Sequence, residues 1–311
     1  MDKLIIATRG SRLALAQAGW VAAQLRRVGK GRQVELDIIK TKGDRILDVP
    51  LAQVGGKGLF VKEIEDALLE RRAHLAVHSM KDMPTELPPG LIIGAIPERE
   101  NPHDVMVSRG QLLLKELPTG ARIGTSSLRR QAQLLARRPD FQIVSIRGNV
   151  ETRLRKLSEE DLDAVVLAQA GLNRLELNDV QPEVLPPDVL LPAVGQGALA
   201  LECREDDPDT LAILSLLHHP PTAWTVAAER AFLARLEGGC QVPIAGHAVL
   251  EPHGLVRLAG LVASLDGKQV VRGDGISGTD DTAQLGVQVA EEVLAGGGRE
   301  ILAEVYGEKP A

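Results

Sequence analysis

Residues 4–28, LIIATRGSRLALAQAGWVAAQLRRV, decide how the rest of the chain is read. The run LIIAT is short, apolar and rich in Ile and Leu, which suits a strand buried on both faces. From Ser11 the apolar residues recur at helical spacing as far as Val28, and Gly29 is a stop signal just beyond them. A strand that hands over directly to an amphipathic helix is the opening of an α/β unit with a largely parallel sheet.

The same rhythm continues beyond Gly29. Residues 34–40, 75–78 and 91–95 read as strands, and residues 59–72 as a helix. The segment PERENP at 97–102 breaks the pattern with two prolines and four polar residues, the composition of an interdomain hinge. The alternation then restarts, with strands expected at 105–107, 122–124, 142–146 and 164–167 and helices after Ser126, Asn149 and Gln169. A second break, PEVLPPDVLLP, covers 182–192, and residues 198–203 read as a strand returning to the first unit. From Thr222 the character changes to one long helix, three hairpin-like strands (244–250, 255–262, 269–272) and two closing helices at about 281–294 and 300–306. The expected fold class is therefore α/β: two α/β domains flanking a cleft, in the manner of periplasmic binding proteins, plus a small α+β C-terminal domain. Their expected extents are 1–97 with return segment 198–216, 103–192, and 220–311.

Composition limits what such a chain does. Net charge is −6 and aromatic residues make up only 2% of the 311 positions, so the cores are aliphatic. A nucleic-acid partner is disfavoured twice, by overall charge and by the scarcity of stacking rings. Two cysteines, Cys203 and Cys240, are too few for a disulfide framework and suit a reducing compartment. The opening MDKLIIATRGS has an apolar run too short for a signal peptide or a membrane span, so a cytoplasmic protein with no membrane association is expected.

The average charge hides a basic stretch. Residues 121–156 carry nine Arg and Lys against two acidic residues. Such a run is commonly just a solvated helix face, but the positions here are unusual. Three strand-to-helix junctions share one design: Arg9 and Ser11 at the first; Thr125, Ser126 and Ser127 followed by Arg129 and Arg130 at the second; Arg147, Gly148 and Asn149 followed by Arg153 at the third. Helix N-termini attract anions and disfavour cations, so arginines placed there repeatedly imply an anion that offsets the cost. Ser and Asn are also ordinary N-caps, and each junction alone is as well read as structural. Together with Arg174 they favour a ligand with several carboxylates or phosphates, which the planar arginine fork suits.

Four other segments carry candidate chemistry. AVHSMKDMPTE (76–86) ends a buried strand with Lys81 and Asp82 between Met80 and Met83, a candidate acid/base pair, or equally a surface pair in a turn; His78 reads as a satisfied structural histidine. GGKGLF (55–60) holds Lys57 and Phe60 but lacks the spacing of a phosphate-binding loop, and a cation-bearing lid reads as well. VGQGALA (194–200), with Gln196, formally matches a dinucleotide fingerprint without the acidic residue that should follow it. Cys203 lies in an apolar strand as inert packing. Cys240, in LEGGCQVP, sits in a glycine-rich loop after a helix, where a nucleophile and a covalent attachment point are both open.

Taken together, ATRGSRLALAQ, KGLFVKEIE, AVHSMKDMPTE, GTSSLRRQAQL, IRGNVETRL, PAVGQGALALECR, ERAFLARLEGGCQVPIAGHA and the closing EILAEVY resemble the porphobilinogen deaminase family, in order and spacing, over nearly the whole chain. The resemblance implies a transferase that condenses four porphobilinogen molecules head to tail with loss of ammonia and then releases hydroxymethylbilane by hydrolysis. It implies a dipyrromethane cofactor in thioether linkage to Cys240, with no metal or nucleotide. Asp82 would be the catalytic carboxylate. Lys81, Thr125, Ser127, Arg129, Arg130 and Arg153 would hold the cofactor, and Arg9, Ser11, Arg147, Asn149, Arg174 and Gln196 the substrate and growing chain. Lys57 and Phe60 would belong to a lid, in which Gln53 stands where relatives often carry lysine. A monomer is expected, with porphobilinogen as its small-molecule partner. The rival readings are a non-catalytic two-lobed binding protein for a carboxylated ligand and a basic-patch nucleic-acid binder.

Overall fold

The structure is a computed structural model and describes residues 3–29, 32–41, 61–238 and 242–307. Two compact units share the chain, one built from residues 1–100 and 198–223, the other from 101–197 and 224–311. Among the described residues no helix is long and apolar enough to cross a membrane.

The first unit is organised by strands β1 (Lys3–Arg9), β2 (Gln33–Ile39), β3 (Leu75–Ser79), β4 (Leu91–Ala95) and the returning strand Leu199–Arg204. In the sheet the order is β2, β1, β3, the returning strand, β4. Helices α1 (Arg12–Val28) and α2 (Lys62–Leu69) provide its cover. Leu4 and Ile6 of β1 face a cluster with Ala18, Val21 and Leu25 of α1, while Ala7 joins Ile64 and Leu68 of α2 on the other side. That two-sided burial is why LIIAT reads as a continuous apolar run. Gly29 closes α1 without a left-handed conformation (φ −83°), its N–H donating to Leu25 O at 2.8 Å. A β-carbon there would lie 2.7 Å from the same carbonyl, so close approach explains this glycine. The helix expected to reach residue 72 ends at Leu69, because Arg71 turns into the left-handed region (φ 60°); residues 59 and 60, its expected start, lie outside the described residues.

The second unit repeats the plan. Strands β5 (Asp104–Ser108), β6 (Arg122–Gly124), β7 (Gln142–Val144), β8 (Ala164–Ala168) and β9 (Glu183–Leu185) form a sheet ordered β7, β6, β8, β5, β9. Helices α3 (Leu128–Arg137), α4 (Val150–Glu159) and α5 (Gln169–Arg174) follow β6, β7 and β8. Both sheets depart from the largely parallel arrangement expected. The returning strand, β10 (Leu199–Arg204), runs antiparallel to β3 and β4, and β5 runs antiparallel to β8 and β9. In each case the reversed strand is the one next to a crossing between units, so it enters its sheet from the opposite end. The proline-rich 182–192 stretch is also not all break: Glu183–Leu185 pairs with Asp104–Met106, between Pro182 and Pro186.

Helices α6 (Pro208–Leu214) and α7 (Pro220–Arg235) lead to a three-stranded antiparallel sheet, β11 (Ile244–Glu251), β12 (Leu255–Ala263) and β13 (Val270–Gly278), closed by α8 (Thr282–Val293) and α9 (Arg299–Tyr306). The last strand is longer than the expected 269–272 because it pairs with β12 along its whole length. Phe232 of α7 is the bulkiest fully buried side chain of this core. Gly246 and Gly260 face each other across β11 and β12, and a β-carbon on Gly260 would lie 2.4 Å from the Phe232 ring. Two register-matched glycines thus make the slot that one aromatic ring fills. Phe232→Ala is expected to cost about 3–5 kcal/mol and Gly260→Ala about 1–3 kcal/mol in urea denaturation. Loss of less than 1 kcal/mol in both would contradict this packing.

Candidate functional site

The strand-to-helix junctions are built as their sequences suggest. Ser11 caps α1 by accepting from Ala14 N–H (3.3 Å), with Arg9 half-buried at the end of β1. Ser127 caps α3, accepting from Arg130 N–H (3.5 Å), and its own N–H donates to Thr125 Oγ1 (3.2 Å). Asn149 caps α4, accepting from Thr152 N–H (2.8 Å). Gly148 before it has φ +116°, and its carbonyl accepts from Arg153 Nε (2.9 Å). Only glycine tolerates that backbone at low cost, and the turn sets the Arg153 side chain beside its own helix start.

The nine-cation stretch separates into two populations. On its outer faces Arg138 pairs with Asp140 (2.8 Å), Arg155 with Glu159 (3.2 Å), Lys156 with Glu160 (2.6 Å) and Arg122 with Asp161 (3.1 Å), while Arg137 donates to the carbonyls of Asp188 and Val189. These are solvated ion pairs of small energetic weight. The inner cations are different. Arg129 and Arg130 are 5% exposed and meet Asp104, which is fully buried at the start of β5. Arg129 Nη1 donates to Asp104 Oδ2 (2.7 Å) and to Leu191 O (2.6 Å). Arg130 grips Asp104 Oδ1 with Nε (3.0 Å) and Nη2 (2.7 Å), and its Nη1 donates to Val166 O (2.8 Å). Burial works to raise the Asp104 pKa, yet the two guanidinium charges and the hydrogen bonds from Arg129 and Gln196 hold it below the ordinary carboxylate range. Part of the anion that the helix-start arginines demand is therefore internal, and no feature of the NPHDVM segment announces it.

Asp104 carries one negative charge against two positive ones, so the cluster remains cationic. Arg153 lies in the field of Arg130 and Arg147; burial first, and then those like charges, bring its pKa down to about 10. Among the described residues it makes no ion pair, only its bond to Gly148 O. A partly desolvated arginine in a positive field is the setting in which a bound carboxylate gains most. Arg174 Nη2 donates to Gly197 O (2.7 Å). Gln196 is 1% exposed, and its Nε2 donates to Pro102 O (2.7 Å) and Asp104 Oδ1 (3.0 Å). The VGQG segment is a turn leading into β10, not a strand-to-helix loop, so it lacks the geometry of a dinucleotide site.

In the first unit, β3 runs straight into a single 3₁₀ turn, Met80–Asp82. Met80 and Met83 are buried and pin the turn, Met80 N–H donating to Ala198 O (3.0 Å) and Met83 N–H to Met80 O (3.1 Å). Lys81 is half-buried and Asp82 is exposed at the tip. A carboxylate on a rigid turn with its face to solvent is well placed to meet a ligand. Gln17 of α1, which sequence reasoning overlooked, donates to Ser79 Oγ (2.9 Å) and ties the helix to the start of that turn. His78, as expected, is structural, pairing with buried Glu202 of β10 at 2.8 Å. Cys203 is wholly buried, and burial pushes its thiol up to about 11, as fits inert packing. Cys240, Lys57, Phe60 and Gln53 lie outside the described residues.

Glu65 of α2 shares the interior with this pair. Burial and the Glu202 charge raise its carboxyl to about 7. The folded state thus holds a proton that the unfolded chain releases near 4.5, so stability falls as pH rises through the window between those values. Glu65→Gln is expected to equal wild type in urea stability below about pH 4.5 and to exceed it above about pH 7. Equal stability at every pH would contradict the assignment.

The family model described as "Porphobilinogen deaminase, dipyromethane cofactor binding domain" matches residues 4–212, and that described as "Porphobilinogen deaminase, C-terminal domain" matches residues 223–295. Curated proteins named porphobilinogen deaminase are similar over almost the full length. One from Nitratidesulfovibrio vulgaris Miyazaki F is 58% identical, covering 99% of this chain and 98% of its own. One from Geobacter sulfurreducens is 57% identical, covering 98% and 96%. Among solved structures, a TRAP periplasmic solute binding protein from Desulfovibrio salexigens shares 11% identity over 72% of this chain and 75% of its own, with a TM-score of 0.43.

Proposed function

The chain belongs to the porphobilinogen deaminase family, and on that premise we propose that it condenses four porphobilinogen molecules head to tail, releasing ammonia at each step, and frees the linear tetrapyrrole hydroxymethylbilane by hydrolysis. The observation that carries this reading is Arg153, partly buried, without an ion pair among the described residues and in the field of Arg130 and Arg147. Each pyrrole ring of porphobilinogen bears two carboxylates, so a growing chain supplies the negative charge that this cluster lacks.

The donor set fits a carboxylated dipyrromethane. Lys81, Arg129, Arg130 and Arg153 would hold its acetate and propionate groups, with Thr125 and Ser127 as hydroxyl partners, and Cys240 would be its attachment point. When bound, that group supplies the nucleophilic pyrrole carbon at which the chain is extended. Arg9, Ser11, Arg147, Asn149 and Arg174 would receive the carboxylates of the incoming substrate. Asp82 would accept hydrogen bonds from pyrrole N–H groups and stabilise the cation left when ammonia departs. Fixed charge aimed at developing charge is the largest catalytic term available to such a site. The buried methionines on either side hold that carboxylate in place without competing for its hydrogen bonds.

Asp82→Asn preserves shape and hydrogen bonding but removes the charge. It is expected to lower kcat by about 10²–10³-fold, with KM for porphobilinogen changed far less, as measured by ammonia release. A wild-type protein that binds porphobilinogen without consuming it would instead make this a binding protein and overturn the reading.

A further inference from the structure

Gln196 and Asp104 are joined by a buried hydrogen bond. Asp104, fully buried, receives four hydrogen bonds from three side chains: one from Arg129, two from Arg130 and one from Gln196. Gln196 is itself fixed, its Nε2 shared between Asp104 and the Pro102 carbonyl. The residue before it is fixed too, Gly195 N–H donating at 2.7 Å to Oε2 of Glu229, a fully buried residue of α7. The second oxygen of Glu229 accepts from Ala248 N–H of β11 (2.8 Å). One continuous path of hydrogen bonds therefore runs from the C-terminal sheet, through the VGQG turn, to the guanidiniums at the start of α3.

We propose that Asp104 and Gln196 are positioning residues for the deaminase reaction: they orient the guanidiniums of Arg129 and Arg130 so that the rest of each planar fork meets ligand carboxylates. Asp104 fixes Arg130 in two places and Arg129 in one, so both side chains lose their rotamer freedom before a ligand arrives. This is preorganisation, and it lowers the ordering cost of each charge-assisted bond. Gln196 holds the Asp104 carboxylate in register by donating to Oδ1, the oxygen that Arg130 also grips. The inference rests on the reading that a carboxylated pyrrole chain binds at Arg129 and Arg130.

Charge and positioning make opposite predictions, which gives the test its force. Were Asp104 only a counter-charge, Asp104→Asn would leave the cluster more positive and tighten its hold on a polyanion. A positioning role predicts the reverse. Wild type, Asp104→Asn and Gln196→Met would be purified, and the fraction of each carrying the cofactor mass read from intact-protein mass spectra. Steady-state constants with porphobilinogen would be measured well below each melting temperature. Asp104→Asn is expected to lose about tenfold in loaded fraction, and its loaded molecules to show KM raised about tenfold, on the scale of a misplaced binding group. Gln196→Met changes no charge and is expected to raise KM several-fold with kcat nearly unchanged. Loading and KM equal to wild type in both variants, or tighter binding by Asp104→Asn, would overturn the proposal. Should Asp104→Asn fail to fold, Gln196→Met decides alone by the same two readings. A wild type that neither carries the mass nor consumes porphobilinogen would instead defeat the functional reading, a separate result.

Discussion

A single buried carboxylate, Asp104, allows two arginines to occupy the first turn of α3, where the helix dipole and the loss of water both oppose them. Its four hydrogen bonds bring together β5, the start of α3 and the turn before β10, segments far apart in sequence. Removing one partner of such a cluster leaves an uncompensated buried charge, a cost on the order of 3–5 kcal/mol. With Asp104 in place these three side chains still carry one net positive charge, and Arg153 adds to it. Stability and affinity for an anion thus meet in the same imbalance, one buried carboxylate against the two guanidiniums it holds.

The rest of the second unit serves that arrangement. Gly148, in its unusual backbone conformation, turns the chain so that Arg153 bonds to the junction itself. The outer basic residues are spent on neighbouring carboxylates and carbonyls, leaving the inner ones distinct in environment as well as in position. In the first unit, the short turn carrying Lys81 and Asp82 is fastened from below by two methionines and from the side by Gln17 through Ser79. Both units place their candidate groups at the carboxyl ends of parallel strands, where open α/β sheets bind ligands.

Much of this was legible in the sequence because it depends on local order. Strand-to-helix handovers, the N-caps Ser11, Ser127 and Asn149, and the arginines that follow them are all set by residues a few positions apart. What escaped was set by partners distant in the chain. Asp104 reads as the polar first residue of a strand, and its arginine partners lie 25 and 26 residues away. The His78–Glu202 pair spans 124 positions. Antiparallel entry of β5 and β10 follows from where the chain crosses between units, which hydrophobic period does not encode. Gln196 likewise binds Pro102 and Asp104, 94 and 92 positions away, partners that a glycine-rich turn does not announce.

In the proposed function, the chain would be primed with a pyrrole cofactor on Cys240 and would extend it at the arginine cluster. The direct measurement is the intact mass of the purified protein and of Cys240→Ser, before and after addition of porphobilinogen. Wild type is expected to show an excess equal to two deaminated porphobilinogen units and further steps of one unit each on adding substrate, and the variant neither. The same excess on both proteins would move the attachment away from Cys240. No excess and no added steps on wild type would contradict the proposed function outright.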